Sequence, residues 1–246
     1  VRARTPVAAA LGAAVALVTL VAAAPGSLGG AVARAAVEPP VAIALDVSRP
    51  VHVFTRATPV TETLVLRFST PVDGSVTGTL RPPRGRGAPV KFALADEYGL
   101  AWRASLVLQP AGPLGTWELA DVRYTYTDDR GVPTTDVVPD TSAFSLRQAS
   151  TVTARVDRPR VSSGRSVTVH ARAAGLDGRP LAGAPLVLEG RTGSGPWKRL
   201  GAYRAAADGR VTAQQRATGP LRLRWRMPGT ETAAASVSAA VLVTVT

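Results

Sequence analysis

Along most of this chain apolar residues alternate one for one with polar ones, and short turn-forming clusters interrupt the alternation. The clearest stretch is "LRLRWRM" (221–227), where Leu221, Leu223, Trp225 and Met227 hold one phase and Arg222, Arg224 and Arg226 the other. Successive side chains of an extended strand point to opposite faces, so this period of two separates an apolar face from a charged one. The C-terminal part offers a series of such segments: "STVTARV" (150–156), "SVTVHAR" (166–172), "PLVLEGR" (185–191), "WKRLGAYR" (197–204), "RVTAQQR" (210–216), "LRLRWRM" and "VSAAVLVTVT" (237–246). Asp208-Gly209 between two of them marks a hairpin, because that turn needs positive φ. Residues 37–148 repeat the grammar less regularly. Strands are predicted there at "VAIALDV" (41–47), "TLVLRFS" (63–69), "SVTGTL" (75–80), "VKFALA" (90–95), "WRASLVL" (102–108), "WELADVRYTYT" (117–127) and "AFSLR" (143–147). The connection "RPPRGRGAP" (81–89) is too rich in Pro, Gly and Arg for a strand and reads as a mobile loop. Helical periodicity is absent beyond the first 35 residues. The pattern predicts an all-β chain of two tandem antiparallel sandwiches, residues 36–148 and 149–246, meeting near Gln148 at a short, stiff junction.

The first 35 residues follow other rules. Arg2 and Arg4 precede an Ala/Val/Leu-rich run from Val7 to Ala24, Pro25-Gly26 break it, and small residues lead to "AVARAA". That is the layout of an N-terminal signal helix with a cleavage site at Ala31-Val32-Ala33 or Ala33-Arg34-Ala35. A run of this length lies near the lower limit for spanning a bilayer, so retention as an anchor is the alternative. The pair Arg2 and Arg4 is not a twin-arginine motif, which favours the general secretion route. The expected location is secreted or extracellular, with association to the cell wall as a further option and membrane contact only through the transient signal segment. The chain has no cysteine. Disulfides and thiolate metal sites are thereby excluded, and each sandwich must be held by its apolar core, which about 100 residues can supply.

Charge divides the mature chain unevenly. Residues 36–148 carry 11 basic and 12 acidic side chains, whereas residues 149–246 carry 15 basic and 5 acidic ones, a net +10. Such asymmetry points to contact with a polyanion, although a coding bias towards arginine would leave the same skew, since Lys91 and Lys198 are the only lysines.

The run "VSSGRSVTVHARA…DGRPLAGAPLVLEGR…GPWKRLGAYRAAADGRVTA…LRLRWRMPGTETAAASVSAAVLVTV", over about 150–246, resembles the bacterial immunoglobulin-like modules of secreted actinobacterial proteins. Their pattern combines a Ser/Gly turn, a "G-x-P-L-x-G" loop, a tryptophan strand, a "D-G" hairpin and a final "R-x-x-x-G-T" before an alternating strand. "GTWELADVRYTYTDDRGV" (115–132) is similar to the G-T-W strand of related modules, but Val132 stands where they often have Asn. The resemblance implies an immunoglobulin-like sandwich used as spacer, adhesin part or accessory module, usually without catalysis.

In the arginine strand the apolar row must face inwards. Burying large aliphatic and indole side chains gains about 1.5–3 kcal/mol each, whereas burying three guanidinium groups costs several kcal/mol per ion. The outward row of Arg222, Arg224 and Arg226, with Arg172 on "SVTVHAR", is the candidate polyanion site. Only Glu189 is placed to pair with it across the sheet. Two readings stand: a solvated face whose charges guard against edge aggregation, and a grip on an acidic cell-envelope polymer or glycan. Specific nucleic-acid binding is not expected, because exposed aromatics for stacking bases are not interleaved with the basic residues.

Nothing in the sequence calls for a cofactor, metal or catalytic residue. H-E-x-x-H, G-x-S-x-G and G-x-x-x-x-G-K motifs are absent. His52 and His170, the only histidines, fall in different predicted sandwiches. The acidic stretch with Asp128, Asp129, Asp136 and Asp140 lacks the alternating spacing of a calcium loop and reads as a solvated turn. Adjacent carboxylates at Asp96-Glu97 sit in a hairpin-like turn. Trp102, Trp117 and Trp225 read as core, whereas Trp197 after "GSGP" is the tryptophan to test for exposure. The expected function is a non-catalytic structural or interaction protein of the cell surface; the alternative is an envelope polyanion or glycan binding module using the basic sheet face.

Overall fold

In the computed structural model, which describes residues 38–139 and 141–246, every regular element is a β-strand. The signal helix expected over residues 1–35 lies outside the described residues, as does Asp140. The N-terminal strands are β1 (Ala42–Val47), β2 (Val51–Phe54), β3 (Val60–Phe68), β4 (Val76–Arg81), β5 (Ala88–Leu94), β6 (Ala101–Leu108), β7 (Gly115–Thr127), β8 (Pro133–Val137) and β9 (Ser142–Gln148). They run in the order β1-β3-β6-β5-β4-β7-β9-β2, with β8 beside β7. β5 pairs with β6 on one side and β4 on the other, which carries the chain from one layer to the next. The apolar phases meet between the layers in a core that includes Leu64, Leu66, Phe68, Leu119, Phe144 and Leu146.

The remaining strands are β10 (Ser150–Val156), β11 (Arg160–Val161), β12 (Ser166–Gly175), β13 (Pro185–Arg191), β14 (Lys198–Arg204), β15 (Arg210–Arg216), β16 (Leu221–Met227), β17 (Ser236–Val237) and β18 (Val241–Val245). One sheet is β10-β12-β15; the other is β11-β18-β16-β13-β14, with β17 beside β16. Their core centres on Trp225, Leu223, Met227, Leu186, Leu188 and Val169, each no more than 1 % exposed.

Both halves share one topological device, and it makes them immunoglobulin-like. The first strand is split: β1 and β10 begin in one sheet, and β2 and β11 cross to the other, lying parallel to its last strand. The switch is written twice in the sequence, as Val47-Ser48-Arg49-Pro50 and Val156-Asp157-Arg158-Pro159. Proline fixes φ and lacks an N–H, so the first ladder cannot continue through it. The residue before Arg-Pro closes that ladder. Asp157 N donates to Thr168 O (3.0 Å) and Asp157 Oδ1 accepts from Thr168 N (2.8 Å); Ser48 N donates to Thr63 O (3.0 Å), with Ser48 Oγ 3.4 Å from Thr63 N. Beyond the switch, Pro50 O accepts from Ser145 N (2.9 Å) and Pro159 O from Thr244 N (2.8 Å).

Several sequence expectations need correction. β2, β8 and β11, of 4, 5 and 2 residues, fall where no strand was predicted, because runs this short carry too few alternations to register. The loop 81–89 is shorter than expected, since β4 takes Arg81 and β5 takes Ala88 and Pro89. "VSAAVLVTVT" is two strands rather than one. Ser238 breaks it by accepting a hydrogen bond from Trp225 N at Oγ (2.9 Å) and donating from Oγ to Ala239 O (2.9 Å). Val237 is consequently 49 % exposed while Val243 is fully buried. The Asp208-Gly209 hairpin forms as the sequence requires. Gly209 has φ +76°, and a Cβ there would stand 2.4 Å from Ala173 O.

No tether separates β9 from β10. Gln148 N donates to Thr232 O (3.0 Å), Gln148 O accepts from Ala234 N (2.9 Å), and Ala149 N donates to Phe54 O (2.8 Å). Val37–Thr246 form one compact unit.

Candidate functional site

β16 sorts its side chains by polarity. Trp225 and Leu223 are fully buried, Arg222 is exposed, and Arg224 and Arg226 are partly exposed. Register places Arg191 opposite Arg222 and Glu189 opposite Arg224 on β13, and Arg199 opposite Glu189 on β14. Arg204 lies further along β14 opposite Pro185. One outer sheet face thus collects Arg191, Arg199, Arg204, Arg222, Arg224 and Arg226 around a single carboxylate, a net charge of about +5 before any counterion. Val237 on β17 faces Arg226 and Leu242 on β18 faces Arg222, each about half exposed.

The face is less bare than its sequence implies. Glu189, with its side chain 11 % exposed, accepts from Arg224 Nε on Oε2 and from Arg226 Nε on Oε1, both at 2.8 Å. Burial pushes the Glu189 carboxyl up, but the hydrogen bonds from Arg226 and Arg224 outweigh it and hold the group below its ordinary value of 4.5. Trp197 joins the cluster from the turn before β14. The guanidinium carbons of Arg224 and Arg191 lie 4.1 and 4.6 Å from its ring centroid, a cation–π contact that leaves the indole part-exposed. Arg191 Nε is buried beneath this cluster without an acceptor among the described residues.

Arg172 does not belong to the face. It sits on β12 in the three-stranded sheet, opposite Thr153 and Arg210, with its Nη2 3.4 Å from Gly178 O. Outer faces of the two sheets in a sandwich point away from each other, so Arg172 cannot share a ligand with the β16 row. His170 shares that other face beside Thr212, whose Oγ1 is 3.3 Å from His170 Nδ1.

A second cluster was not foreseen. In β3, Glu62 is in phase with Leu64, Leu66 and Phe68 and is fully buried. Its carboxylate pairs with the His52 ring, accepts from Ser48 Oγ (2.6 Å) and accepts from Arg49 N (3.2 Å). Burial pushes the Glu62 carboxyl up, and the Ser48, His52 and Arg49 contacts together bring it below 4.5. The signal was present in the alternation: Glu62 and His52 occupy the inward phases of β3 and β2. The order is Ser–Glu–His, so the hydroxyl meets the carboxylate rather than the imidazole, and an acyl-transfer triad is not assembled.

In the acidic stretch Asp128 caps a turn and Asp136, on β8, bonds its own strand. Asp128 Oδ1 accepts from Arg130 N (2.9 Å) and Val132 N (2.8 Å), and Asp136 Oδ1 from Val137 N (2.7 Å). Among the described residues no His, Cys, Asp or Glu group is arranged to hold a metal ion. Trp102 and Trp225 are buried, while Trp117 is half-buried with its Nε1 donating to Pro113 O (2.9 Å).

No protein-family model and no curated protein matches this chain. Solved structures do. A DUF4785 family protein from Legionella pneumophila aligns at 12 % identity and TM-score 0.37, over 76 % of this chain and 53 % of its own, so the chain spans about half of that protein. An amphioxus IgVJ-C2 molecule aligns at 7 % identity and TM-score 0.39, over 78 % of this chain and 99 % of its own. The Escherichia coli adhesin FdeC aligns at 18 % identity and TM-score 0.35, over 83 % of this chain and 66 % of its own.

Proposed function

We propose that this chain is an exported, non-catalytic interaction protein of the cell surface, built from two immunoglobulin-like modules, and that its working surface is the arginine face of residues 149–246. The observation that carries the reading is the gathering of six arginines around one carboxylate on one side of the β13–β14–β16 sheet. A solvated face needs no such concentration; three strands contribute to it, and its one acid is consumed internally by Arg224 and Arg226. The export signal read from residues 1–35 supports a location where acidic envelope polymers are the abundant polyanions.

The test is binding of the full chain to purified cell envelope and to an immobilised acidic polysaccharide at rising salt. Counterion release makes affinity fall steeply, by about tenfold or more between about 0.05 and about 0.2 M salt when several ionic contacts form. Replacing Arg191, Arg222 and Arg199 with Ser should weaken binding and flatten its salt dependence without loss of fold. Retention that is indifferent to salt and to these replacements refutes the reading.

A further inference from the structure

The bonding pattern inside the arginine cluster assigns a role to its only acid. An acid in a polyanion site is at first sight a defect, since it repels the ligand. Glu189, however, takes only the Nε–H of Arg224 and of Arg226, one on each oxygen. The terminal Nη groups of both arginines find no acceptor among the described residues. A guanidinium held through Nε keeps its outer donors in a fixed plane, the arrangement that binds carboxylates in a fork. Free arginine side chains lose several rotamers on binding; these two have already lost them on folding, and Arg224 is fixed a second time by Trp197.

We propose, resting on the polyanion reading above, that Glu189 is a positioning residue. It presets Arg224 and Arg226 as a cradle for the carboxylates of a linear acidic polysaccharide, with Trp197 supplying the surface against which a sugar ring lies. Three features favour this ligand. The arginines of β16 recur every second residue, about 6.8 Å apart along the strand, so they face a chain of regularly spaced charges rather than one ion. The part-exposed indole beside them suits a pyranose ring, which a bare inorganic polyanion lacks. Nucleic acid is disfavoured because strand stacking draws on several exposed aromatics, and on this face Trp197 stands alone while Trp225 and Tyr203 pack together beneath the sheet.

The experiment titrates the full-length chain with polygalacturonate, with inorganic polyphosphate and with a single-stranded oligonucleotide, comparing wild type with Glu189→Gln, Arg224→Lys and Trp197→Ala. Simple electrostatics says that Glu189→Gln, which removes a negative charge, tightens binding of every polyanion. A positioning role says the opposite: Glu189→Gln weakens polygalacturonate about fivefold or more, because the two arginines must then be ordered by the ligand. Arg224→Lys, which keeps the charge and loses the fork, weakens it similarly. Trp197→Ala weakens polygalacturonate by a larger factor than polyphosphate, because it removes the sugar platform as well as one restraint on Arg224. Thermal melts of each variant confirm the fold, and Arg224→Lys carries the test should Glu189→Gln fail to fold. If wild type binds polygalacturonate but Glu189→Gln binds it as tightly or more tightly, the positioning role is overturned while the polyanion reading stands. If polyphosphate or the oligonucleotide binds more tightly at equal charge, the assignment to polysaccharide is overturned. If wild type binds none of the three, the polyanion reading itself falls.

Discussion

Glu62 and His52 occupy positions that the other sandwich fills differently. Aligning the two Arg-Pro switches puts His52 level with Val161, and aligning Thr63 with Thr168 puts Glu62 level with Val167. Val161 and Val167 are both buried in their core, so one fold supports an ionisable pair or an apolar pair at the same place. This makes a natural test of what a buried pair is worth. Removing one partner strands the other: Glu62→Val leaves the His52 ring, 5 % exposed, facing hydrocarbon, and His52→Val leaves a fully buried carboxylate with only Ser48 and Arg49 N. Each single change should cost about 3–5 kcal/mol. Replacing both restores an apolar contact, and burying two valines returns about 1.5 kcal/mol or more each, less a part for the smaller volume. The double variant should therefore lie within about 2 kcal/mol of wild type, with strong non-additivity across the cycle. Urea unfolding gives the total, and hydrogen exchange of β3 amides isolates the N-terminal sandwich. With an m-value of about 2 kcal/mol/M, each single variant loses about 2 M in local midpoint. A double variant as unstable as the sum of the singles would refute the equivalence of the two sites. Acid provides the second readout. Because the folded Glu62 carboxyl is held below 4.5, its contribution is complete above that pH and fades as pH falls through the lowered value. The double variant should lack this part of the acid limb.

The remaining predictions concern the frame around the site. Asp157→Ala removes the acceptor of Thr168 N and Arg158 N and should cost about 1 kcal/mol, read as a lower melting temperature. Trp225→Ala should cost about 3–5 kcal/mol by cavity formation, and should release binding only through unfolding, since no part of the indole is exposed. Gly209→Ala combines positive φ with a backbone clash and should destabilise by more than about 1 kcal/mol, read in thermal denaturation, where the same change at a compatible site would stabilise. Tyr124, whose hydroxyl donates to Pro40 O (2.6 Å), is pushed up to about 12 by burial and by Asp136. Its neutral form supports the fold, so stability should fall between pH 10 and about 12, and the late part of the ultraviolet tyrosine titration should shrink in Tyr124→Phe.

The alternation was enough to make the chain β and to decide which side of each long strand is wet. Leu223, Trp225 and Met227 go inside and Arg222 stays out because transfer free energy depends only on the side chain and its phase. Turn chemistry was equally local, as Asp208-Gly209 illustrates. Partnership was not local. The sequence singles out Glu189 as a partner for the arginine row, but nothing along the chain says that it will hold Arg224 and Arg226 together, that Trp197 will lie on Arg191 and Arg224, or that Arg172 will face the other way. Those facts follow from which strands become neighbours, and register is fixed by pairings across tens of residues. The split first strands show the same limit. β2 and β11 are too short to announce themselves by period and exist because a final strand offers them an edge. Sequence phase chose inside from outside; the tertiary fold chose which charges meet, because Coulomb and hydrogen-bond energies depend on distance in space and not on distance along the chain.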